Sequence, residues 1–477
     1  MIRQARQQLA GWGNVPCQEV RAFRPESVGE LHRTLDENAA ETFISRGLGR
    51  SYGDASLNRN GGVIRFERLN RFLAWDASRG VVECEAGVTF EDLLRHFVPR
   101  GFFPSVTPGT KQVTIGGAIA ADVHGKNHHR DGSIANFVEE LRLLTGRGEE
   151  LNCSRTENSE LFWATIGGLG LTGAILSARI RLLPIQTAWI AADYRKADDL
   201  DEALDLFAED SEHRYSVAWI DCLARGSELG RSILIRGDHA RQEDLTAPQR
   251  DGALELPRRR RRSVPINLPG WTLNPYSVAA FNQVFYERHR DERKLVDYDS
   301  FFYPLDSVAN WNRIYGRRGF LQYQLVLPTT GSRSGLIEVL DRLSASRMPS
   351  FLAVLKMFGK GNEAPLSFPM PGATRALDLP NRGEPLLSLL NELDEIVLKH
   401  GGRVYLAKDA RLSATAFRAM YPRAVEFERV KRSVDPDGTY SSSLSRRLGL
   451  CSESASSTPA DCDVAEGEMS ELQACGA

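Results

Sequence analysis

RGLGRSYGDAS, at residues 46–56, is the stretch that decides which fold this chain adopts. It follows the strand-like segment TFISR (42–46), and its glycines allow successive backbone amides to approach a phosphate closely. The spacing G-x-G-x-x-x-G is one residue longer than the dinucleotide fingerprint, and no clean helix follows it. An anion-binding turn outside a Rossmann fold is therefore predicted, with a glycine-rich surface turn as the alternative.

A second stretch, TPGTKQVTIGGAIAADVHGKNHHRDGS (107–133), has small residues almost without a break over 116–121. Such a run lets a large group approach the backbone, which suits an isoalloxazine ring or a pyrophosphate. The spacing of His124 and His128, followed by His129, also allows a metal site. Glycine and asparagine between the histidines make a helix poor, and no HExxH pattern is present. A polar loop beside a cofactor is therefore favoured over a metal site.

The third stretch, IGGLGLTGAI (166–175), contains the literal pattern GxGxxG at Gly168, Gly170 and Gly173. The dinucleotide motif needs a strand before it and a helix after it. Here the helix-like SELFWATIGG comes first and the strand-like GAILSARIRLLP follows. Because this order is reversed, NAD binding in the Rossmann manner is not predicted.

Composition is that of an ordinary globular protein, with 42% hydrophobic residues, 26% charged residues and a net charge of −2. This balance gives no overall attraction to nucleic acid. Seven cysteines are dispersed without CxxC spacing, which is typical of reduced thiols and not of a disulfide framework or zinc site. The N-terminus has no apolar signal segment, and no apolar run reaches membrane-spanning length. We expect a cytoplasmic protein, at most peripheral at the inner membrane face.

The length of the chain predicts two domains. Residues 10–185 have short strand-like segments separated by glycines and are expected to form the cofactor-binding domain. Residues 186–400 have longer helices alternating with strands such as GFLQYQLVLP and are expected to form a substrate domain. Within it, 225–270 is polar and basic and is predicted to be a flexible excursion. Residues 401–450 form a C-terminal segment, and 451–477, without Lys or Arg, are predicted to be disordered. The fold class is α+β.

The stretch GGRVYLAKDARLS (401–413) places Lys408 at the end of a short strand, beside Tyr405 and Asp409. A lysine at a strand end inside a cleft can have its pKa lowered by burial and act as an acid or a base. A surface lysine whose charged end reaches solvent is the alternative.

A resemblance to the vanillyl-alcohol-oxidase superfamily, whose FAD-binding domain is of the p-cresol-methylhydroxylase type, is carried by four segments in this order: RGLGRSYGD, PGTKQVTIGGAIAADVHGKNHH, ELFWATIGGLGLTG and the DPDG turn. It continues through AWIDCLARGSELGR, WNRIYGRRGFLQYQLVLP, VLKMFGKGNEAPLSFPMPG and VYLAKDAR. These segments are similar to the FAD-containing oxidase subunits of decaprenylphosphoryl-β-D-ribose 2′-epimerase. The similarity extends over residues 10–448, except for the basic excursion.

The resemblance implies a two-domain FAD-binding fold with a mixed-sheet substrate domain, in which residues 401–450 return to the flavin site. The cofactor contacts that it implies are Gly47, Leu48, Gly49, Arg50, Ser51, Tyr52, Gly53, Asp54, Gly109, Thr114, Ile115, Gly116, Gly117, Ala121, Asp122, Val123, His124, Ile175 and Tyr405. Many relatives attach FAD covalently through a histidine in the first glycine loop. Because GLGRSYGD contains neither His nor Cys, we expect the FAD to be non-covalent.

The implied reaction is oxidation of the C2 hydroxyl of a polyprenylphosphoryl-β-D-ribose to the 2-keto sugar. A partner NADPH-dependent short-chain reductase would complete the epimerisation to the arabinose form. The implied residues on the substrate side of the flavin are Lys408, Tyr52, Gln324, His124, Trp219 and Lys356. Of these, Lys408 is expected to orient or deprotonate the hydroxyl while Gln324 and Tyr52 fix the sugar, and no metal is expected.

Two other functions fit the same residues. One is an aldonolactone oxidase of the same superfamily, and the other is a catalytically silent flavoprotein-like scaffold that binds a reductase partner. The chain also departs from the family, because Thr374 and Ala376 stand where mycobacterial members have Asn-x-Cys. The change removes an amide and a thiol from the mouth of the expected site.

A lipid-linked substrate has to be met at a membrane surface. The arginine run from Arg258 to Arg262 precedes the apolar stretch VPINLPGW (264–271). Each basic residue close to an anionic surface contributes about 1 kcal/mol, so peripheral docking through this run is predicted. A solvated loop and a nucleic-acid-binding patch are the alternatives.

Overall fold

The computed structural model describes residues 4–209, 212–256, 262–350 and 352–450, which form a mixed structure of helices and strands. The strands are β1 (Gln4–Ala10), β2 (Cys17–Phe23), β3 (Phe43–Arg46), β4 (Gly62–Arg65), β5 (Phe72–Asp76), β6 (Val81–Glu85), β7 (Phe102–Pro104), β8 (Val138–Leu144), β9 (Glu150–Ser154), β10 (Ala174–Pro184), β11 (Trp189–Ala197), β12 (Tyr215–Ile220), β13 (Ser232–His239), β14 (Arg262–Ser263), β15 (Glu292–Asp297), β16 (Val308–Ala309), β17 (Phe320–Pro328), β18 (Ala353–Phe358), β19 (Gly372–Pro380) and β20 (Arg403–Val404). The α-helices are α1 (Val28–Glu37), α2 (Phe90–Phe97), α3 (Ile115–Ala120), α4 (His128–Asp131), α5 (Ser159–Thr165), α6 (Leu200–Glu209), α7 (Ala247–Arg250), α8 (Pro275–Arg288), α9 (Tyr298–Phe302), α10 (Ser332–Ser346), α11 (Glu384–Lys399), α12 (Ala414–Met420), α13 (Ala424–Val434) and α14 (Ser443–Arg447).

The first part of the chain folds into two sheets. The smaller has the strand order β1-β2-β4-β3, and the larger has the order β5-β6-β10-β8-β9 with β7 paired to β10. Helix α2 shows why the local sequence folds as predicted: Thr89 and Asp92 form a capping box at its start. Its apolar residues Phe90, Leu93, Leu94 and Phe97 are buried at helical spacing.

The third glycine-rich stretch has the predicted order of elements. Helix α5 ends at Thr165 and β10 begins at Ala174, so the GxGxxG pattern lies between a helix and a strand. The prediction that this stretch is not a Rossmann fingerprint is confirmed. The strands predicted at TFISR, GVIRF, GVVECEAG and EELRLLTG are also present, as β3, β4, β6 and β8.

The second part of the chain forms an eight-stranded sheet with the order β15-β11-β13-β12-β18-β19-β17-β20. The register places Trp219 opposite Val354, Val354 opposite Ala376, and Ala376 opposite Gln324. Directly opposed residues lie on the same face, so this row marks one face of the sheet. The intervening residues Leu325, Leu355 and Leu377 point to the other face and join the core that α10 and α11 complete.

The chain changes sheet between β10 and β11, which supports our proposed domain boundary near residue 186. The predicted flexible excursion over 225–270 is wrong in its first part, because β13 (Ser232–His239) lies inside the large sheet. Its charges hid a run of consecutive buried residues, Ser232, Ile233 and Leu234, in a strand that lies between two neighbouring strands. Of the arginine run, Arg258 to Arg261 lie outside the described residues, as does the tail 451–477.

The cysteines follow the prediction only in part. Cys84, Cys153 and Cys222 are buried free thiols, whereas Cys17 is disulfide-bonded, which corrects the expectation of reduced thiols for that residue. Among the described residues, no helix is both long and apolar enough to cross a membrane.

Candidate active site

The first glycine-rich loop, residues 46–54, leaves the end of β3 and is packed tightly on both sides. A Cβ atom at Gly47 would lie 2.1 Å from Thr114 Oγ1, and one at Gly53 would lie 1.7 Å from the carbonyl oxygen of Asp409. No side chain fits at such distances, so only glycine is compatible with this packing. The loop is therefore held between the second glycine-rich segment and the loop that carries Lys408.

This first loop offers free backbone donors. Within the part of the chain that the structure describes, the amides of Leu48, Gly49 and Ser51 donate no hydrogen bond to another protein group. Gly49 has a left-handed backbone (φ 64°), a conformation found where neighbouring amides turn toward one anion. The Arg50 guanidinium lies 3.9 Å from the centroid of the Trp12 ring and helps to hold the turn. The arrangement suits a diphosphate.

The second glycine-rich segment presents a surface without side chains. Thr114 caps α3 by accepting a hydrogen bond from the amide of Gly117 at 3.3 Å. Gly117 is exposed, and a Cβ there would meet only Thr114 Oγ1, at 3.0 Å. Gly109 is also exposed, and a Cβ there would meet no atom within 4 Å. A flat surface of this kind, next to an amide nest, fits a large cofactor with one planar and one anionic part.

Helix α3 is fixed from behind by the third glycine-rich stretch. The amides of Gly167 and Leu169 donate to the carbonyl oxygens of Ile119 and Ala120 at 3.0 and 2.8 Å. Three other predicted cofactor residues hold the segment through their backbone amides. The amides of Ile115, Gly116 and Val123 donate to the carbonyl oxygens of Val88, Ala86 and Ala118, respectively. A fourth, Ile175, is buried in β10 opposite Leu143.

Two predicted cofactor residues have carboxylates that are bound to protein groups. Arg447 pairs with Asp54 through two hydrogen bonds, at 2.7 and 3.0 Å. Asp122 Oδ2 accepts from Asn362 at 2.6 Å, and burial raises the pKa of this carboxyl. The side chains of Asp54 and Asp122 therefore stabilise the two glycine-rich segments. A cofactor would contact these two residues through their backbone atoms.

His124 follows α3 and meets the sheet face marked by Gln324. The Gln324 amide donates to His124 Nε2 at 2.9 Å and to Thr374 Oγ1 at 3.3 Å. Burial, followed by the charges of Lys356, His128 and Lys408, holds the pKa of His124 well below its ordinary value. The imidazole is therefore neutral at physiological pH, which lets it donate or accept a hydrogen bond without adding charge.

Tyr405 links this pair to the cofactor segment. Its hydroxyl donates to the carbonyl oxygen of Ala121 at 2.7 Å, and its ring centroid lies 5.3 Å from that of His124. Its amide donates to the Gln324 carbonyl oxygen at 2.9 Å, so the strand end at β20 and the glycine segment meet here.

Lys408 belongs to the same site but lies in a turn beyond β20, which corrects the prediction that it stands at the strand end. Its Nζ is 4.0 Å from the centroid of the Tyr52 ring, and the Tyr52 amide donates to the Ala407 carbonyl oxygen at 3.2 Å. Burial lowers the pKa of Lys408 to about 7, while Asp378 raises it and Lys356 lowers it. Burial raises the pKa of Tyr52 well above its usual range, so the phenol stays neutral. An amine with a pKa near neutrality can exchange a proton with a substrate hydroxyl.

Asp378 and Gln322 are site residues that the sequence did not reveal. Asp378 is fully buried on the same face as Gln324, and the Gln322 amide donates to its Oδ1 at 2.5 Å. Burial raises the pKa of Asp378 to about 7, against the opposing effects of Gln322 and Lys408. The available signal was the alternation of glutamines in the otherwise apolar strand GFLQYQLVLP, which marks a buried polar face.

Lys356 and Trp219 lie on the same face at increasing distance from Gln324. Lys356 pairs across the sheet with Thr374, and burial lowers its pKa to about 8. Trp219 lies three strands from Gln324, roughly 14 Å at the usual strand spacing, and packs against Phe285 with ring centroids 4.8 Å apart. The structure thus brings Tyr52, His124, Gln324, Lys356, Tyr405 and Lys408 together and places Trp219 at the far side.

The three histidines of the second segment are separated. The ring centroids of His124 and His128 are 6.4 Å apart, and the His129 ring contacts the His213 carbonyl oxygen at 3.0 Å. In the described ranges, no three His, Cys, Asp or Glu side chains come together in a way that could hold a metal ion.

Family comparisons match the two ends of this site. Residues 21–154 match the FAD binding domain family, which covers both of the first two glycine-rich segments. Residues 381–448 match the D-arabinono-1,4-lactone oxidase family, which covers the loop with Tyr405 and Lys408.

Three relatives show how far the similarity extends. Decaprenylphosphoryl-β-D-ribose oxidase from Mycolicibacterium smegmatis is 40% identical over 93% of this chain and 97% of its own length. L-gulonolactone oxidase from Mus musculus is 24% identical over 92% of this chain and 98% of its own length. Cytokinin dehydrogenase 2 from Arabidopsis thaliana is 33% identical over 36% of this chain and 35% of its own length.

Proposed function

Because this chain belongs to the family of FAD-dependent oxidases that includes decaprenylphosphoryl-β-D-ribose oxidase, we propose that it oxidises the C2 hydroxyl of a polyprenylphosphoryl-β-D-ribose. The product is the 2-keto sugar. The observation that carries the proposal is the position of Lys408, an amine with a lowered pKa beside Tyr52, in the site that also contains the Gln324–His124 pair.

The cofactor is held by the groups already described. The free amides of Leu48, Gly49 and Ser51 receive the diphosphate, and the flat surface at Gly109 and Gly117 receives a planar ring. The first loop contains no His or Cys, which supports a non-covalent FAD. FAD supplies the electron acceptor for the hydride that leaves C2.

The residues of the chain position the alcohol and manage its proton. The hydroxyl proton has to leave as the hydride leaves, and the neutral form of Lys408 can accept it. Tyr52 donates a hydrogen bond and the side-chain carbonyl oxygen of Gln324 accepts one, which together fix neighbouring sugar hydroxyls. The Gln324 amide is held by neutral His124 and by Thr374. Asp378 stabilises the protonated form of Lys408 after the transfer.

An apolar surface favours a lipid-linked substrate. It is formed by Ile266, Trp271, Tyr276, Phe281 and Val284. Their exposed fractions are 65%, 76%, 81%, 45% and 47%. A folded protein rarely leaves so many large apolar side chains together in solvent unless they contact a membrane or a partner.

Helix α8 connects this surface with the substrate side of the sheet. Val278, Asn282 and Tyr286 form its buried face, so Tyr276 and Phe281 point outward. Phe285 of the same helix packs on Trp219. Together with the arginine run that precedes it in sequence, the apolar surface supports peripheral docking on anionic lipid. A short-chain NADPH-dependent reductase as the partner is part of the same proposal, because the keto sugar requires a separate hydride donor to become the epimer.

An aldonolactone oxidase is the second candidate function. It is favoured by the match of residues 381–448 to the D-arabinono-1,4-lactone oxidase family and by the similarity to L-gulonolactone oxidase. The two candidates require the same hydride transfer and differ in whether the substrate carries a lipid phosphate.

The product identifies the reaction. The FAD-loaded protein is incubated with farnesylphosphoryl-β-D-ribose, and the mixture is reduced with borodeuteride. We expect deuterium at C2 in both ribose and arabinose recovered after hydrolysis. Deuterium at another carbon, or none above a control without protein, would reject oxidation at C2.

A further inference from the structure

Lys126 is a cation of the second glycine-rich segment that the proposed reaction does not use. Its Nζ donates to the carbonyl oxygen of Phe301 at 2.5 Å and lies 4.3 Å from the centroid of the Phe301 ring. The Phe302 ring centroid is 5.8 Å away. The ammonium group therefore lies in a largely aromatic environment in which water is scarce.

Lys356 faces the same segment from the sheet. Phe358, two residues further along β18, packs its ring 4.7 Å from His124 and 4.4 Å from His128. Alternate residues of a strand share a face, so the Lys356 side chain points to the segment that carries Lys126. The charge of Lys356 is also felt at Lys126, because burial and then this charge lower the pKa of Lys126 to about 7.

No anion of the protein balances this pair. Within the described ranges, neither Lys126 nor Lys356 forms a salt bridge, and no carboxylate contributes to the pKa of either amine. The nearby imidazoles of His124 and His128 are neutral, because burial lowers the pKa of both. Buried cations in proteins are normally paired, so two adjacent unpaired ones indicate a place for an external anion.

We propose that Lys126 and Lys356 form the subsite for the phosphodiester of the lipid-linked sugar. This inference rests on the proposed function and names the group that the site recognises beyond the sugar. A phosphodiester has one negative charge and two unbridged oxygens, which two ammonium groups can bind with charge-assisted hydrogen bonds. Neutral His124 and His128 line the same place without competing for the anion.

The subsite also explains how the lipid-linked substrate is distinguished from a lactone. The phosphate of the substrate is attached at C1, next to the C2 hydroxyl, and Lys356 lies on the same sheet face as Gln324 of the reaction site. A neutral aldonolactone offers no anion at this position. A bound lactone would leave both amines unpaired, so its binding would lack the free energy that the phosphate supplies.

Equilibrium binding tests the subsite apart from turnover. The affinity of the FAD-loaded protein is measured by calorimetry for farnesyl phosphate, for farnesol and for inorganic phosphate. We expect farnesyl phosphate to bind more tightly than either of the others. Lys126→Met and Lys356→Met are each expected to weaken farnesyl phosphate binding about tenfold or more while leaving farnesol binding unchanged. Lys360→Met, an exposed lysine just beyond β18, is the matched control and should bind like the wild type.

Three results would overturn the inference. The first is an unchanged preference for farnesyl phosphate in both Lys126→Met and Lys356→Met. The second is an equal loss of farnesyl phosphate affinity in Lys360→Met. The third is equal affinity of the wild type for inorganic phosphate and farnesyl phosphate. Lys126→Arg and Lys356→Arg keep the charge and should retain most of the preference, which guards against a folding defect as the cause. If the wild type fails to oxidise the lipid-linked ribose but binds farnesyl phosphate through these lysines, only the proposed reaction is rejected.

Discussion

Lys408 combines three properties that suit a proton acceptor: a position in the turn that follows β20, a pKa of about 7, and a neutral phenol at van der Waals distance. Its neutral form predominates above pH 7, so the rate of flavin reduction by substrate should rise with pH and level off above about pH 7. Lys408→Met should lower this rate about 100-fold or more and remove the rise. Stopped-flow absorbance under anaerobic conditions measures both. A rise that persists unchanged in the variant would remove Lys408 from its role.

Asp378 provides a second test at the residue scale. Its charge raises the pKa of Lys408, so Asp378→Asn should lower that pKa and move the rising part of the pH profile to lower pH. The exposed carboxylate Asp201, in α6, serves as the control, because Asp201→Asn changes the net charge equally far from the site. A shift to higher pH, or an equal shift in the control, would contradict the placement of Asp378 beside Lys408.

The residues of the site differ in how far the sequence predicted them. Lys408, Tyr52, Gln324 and His124 belong to motifs with a family resemblance, and the structure brings all four together, although their roles stay predictions. Asp378 could not be recognised, because a single aspartate in RALDLP looks like an ordinary surface residue. Only the register of β19 against β17 places it opposite Gln322. Pairing between distant strands is not encoded in the local pattern.

At the scale of elements, helix α3 is the part of the fold that the cofactor depends on most directly. Gly117 is exposed on this helix, and a side chain there would extend over the surface at which we place the cofactor. Gly117→Leu should therefore lower the flavin-to-protein ratio about tenfold or more, while the melting temperature of the FAD-free protein changes little, because leucine favours a helix more than glycine does.

Gly29→Leu is the control for this prediction. Gly29 is exposed in α1, and a Cβ there would meet no atom within 4 Å. Flavin content is measured from absorbance, and stability from thermal unfolding of the apoprotein. Full flavin content in Gly117→Leu, or equal loss in Gly29→Leu, would show that the cofactor does not lie on α3.

The elements that the sequence predicted correctly have a clear periodicity of apolar residues or a helix-capping motif. Helix α2 has both, and β10 has a long strand pattern after a helix. The strand β13 was missed because Arg231, Arg236 and Asp238 made the segment look solvated. Two of these charges are paired within the fold: Arg231 with Asp221 at 2.8 Å, and Arg236 with Asp193 at 3.0 Å. Ion pairs formed only in the folded state are invisible in the sequence.

At the scale of the whole molecule, the C-terminal segment closes the fold onto its beginning. The Phe43 amide donates to the Thr439 carbonyl oxygen at 2.7 Å, and Arg447 pairs with Asp54. Arg447 also pairs with Asp409, so the loop with Lys408 is fixed against the first glycine-rich loop. The protein is an FAD-dependent oxidoreductase, which sets aside the alternative of a catalytically silent scaffold.

Docking of the whole molecule on lipid is tested with vesicles. Flotation should show binding to vesicles that contain anionic phospholipid and much weaker binding to zwitterionic vesicles. Trp271→Ser should weaken binding about tenfold, the loss expected when one large apolar side chain no longer inserts. Val425→Ser is the control, because Val425 is 63% exposed but lies on α13. Equal binding by Trp271→Ser and wild type, or equal loss in the control, would reject this surface.

Anaerobic flavin bleaching distinguishes a lipid-linked ribose from a lactone as the substrate. The FAD-loaded protein is mixed without oxygen with farnesylphosphoryl-β-D-ribose or, separately, with L-gulono-1,4-lactone at the same concentration. We expect rapid loss of the oxidised flavin absorbance with the lipid-linked ribose and little or none with the lactone. Rapid bleaching by the lactone, with the lipid-linked ribose inert, would contradict this expectation.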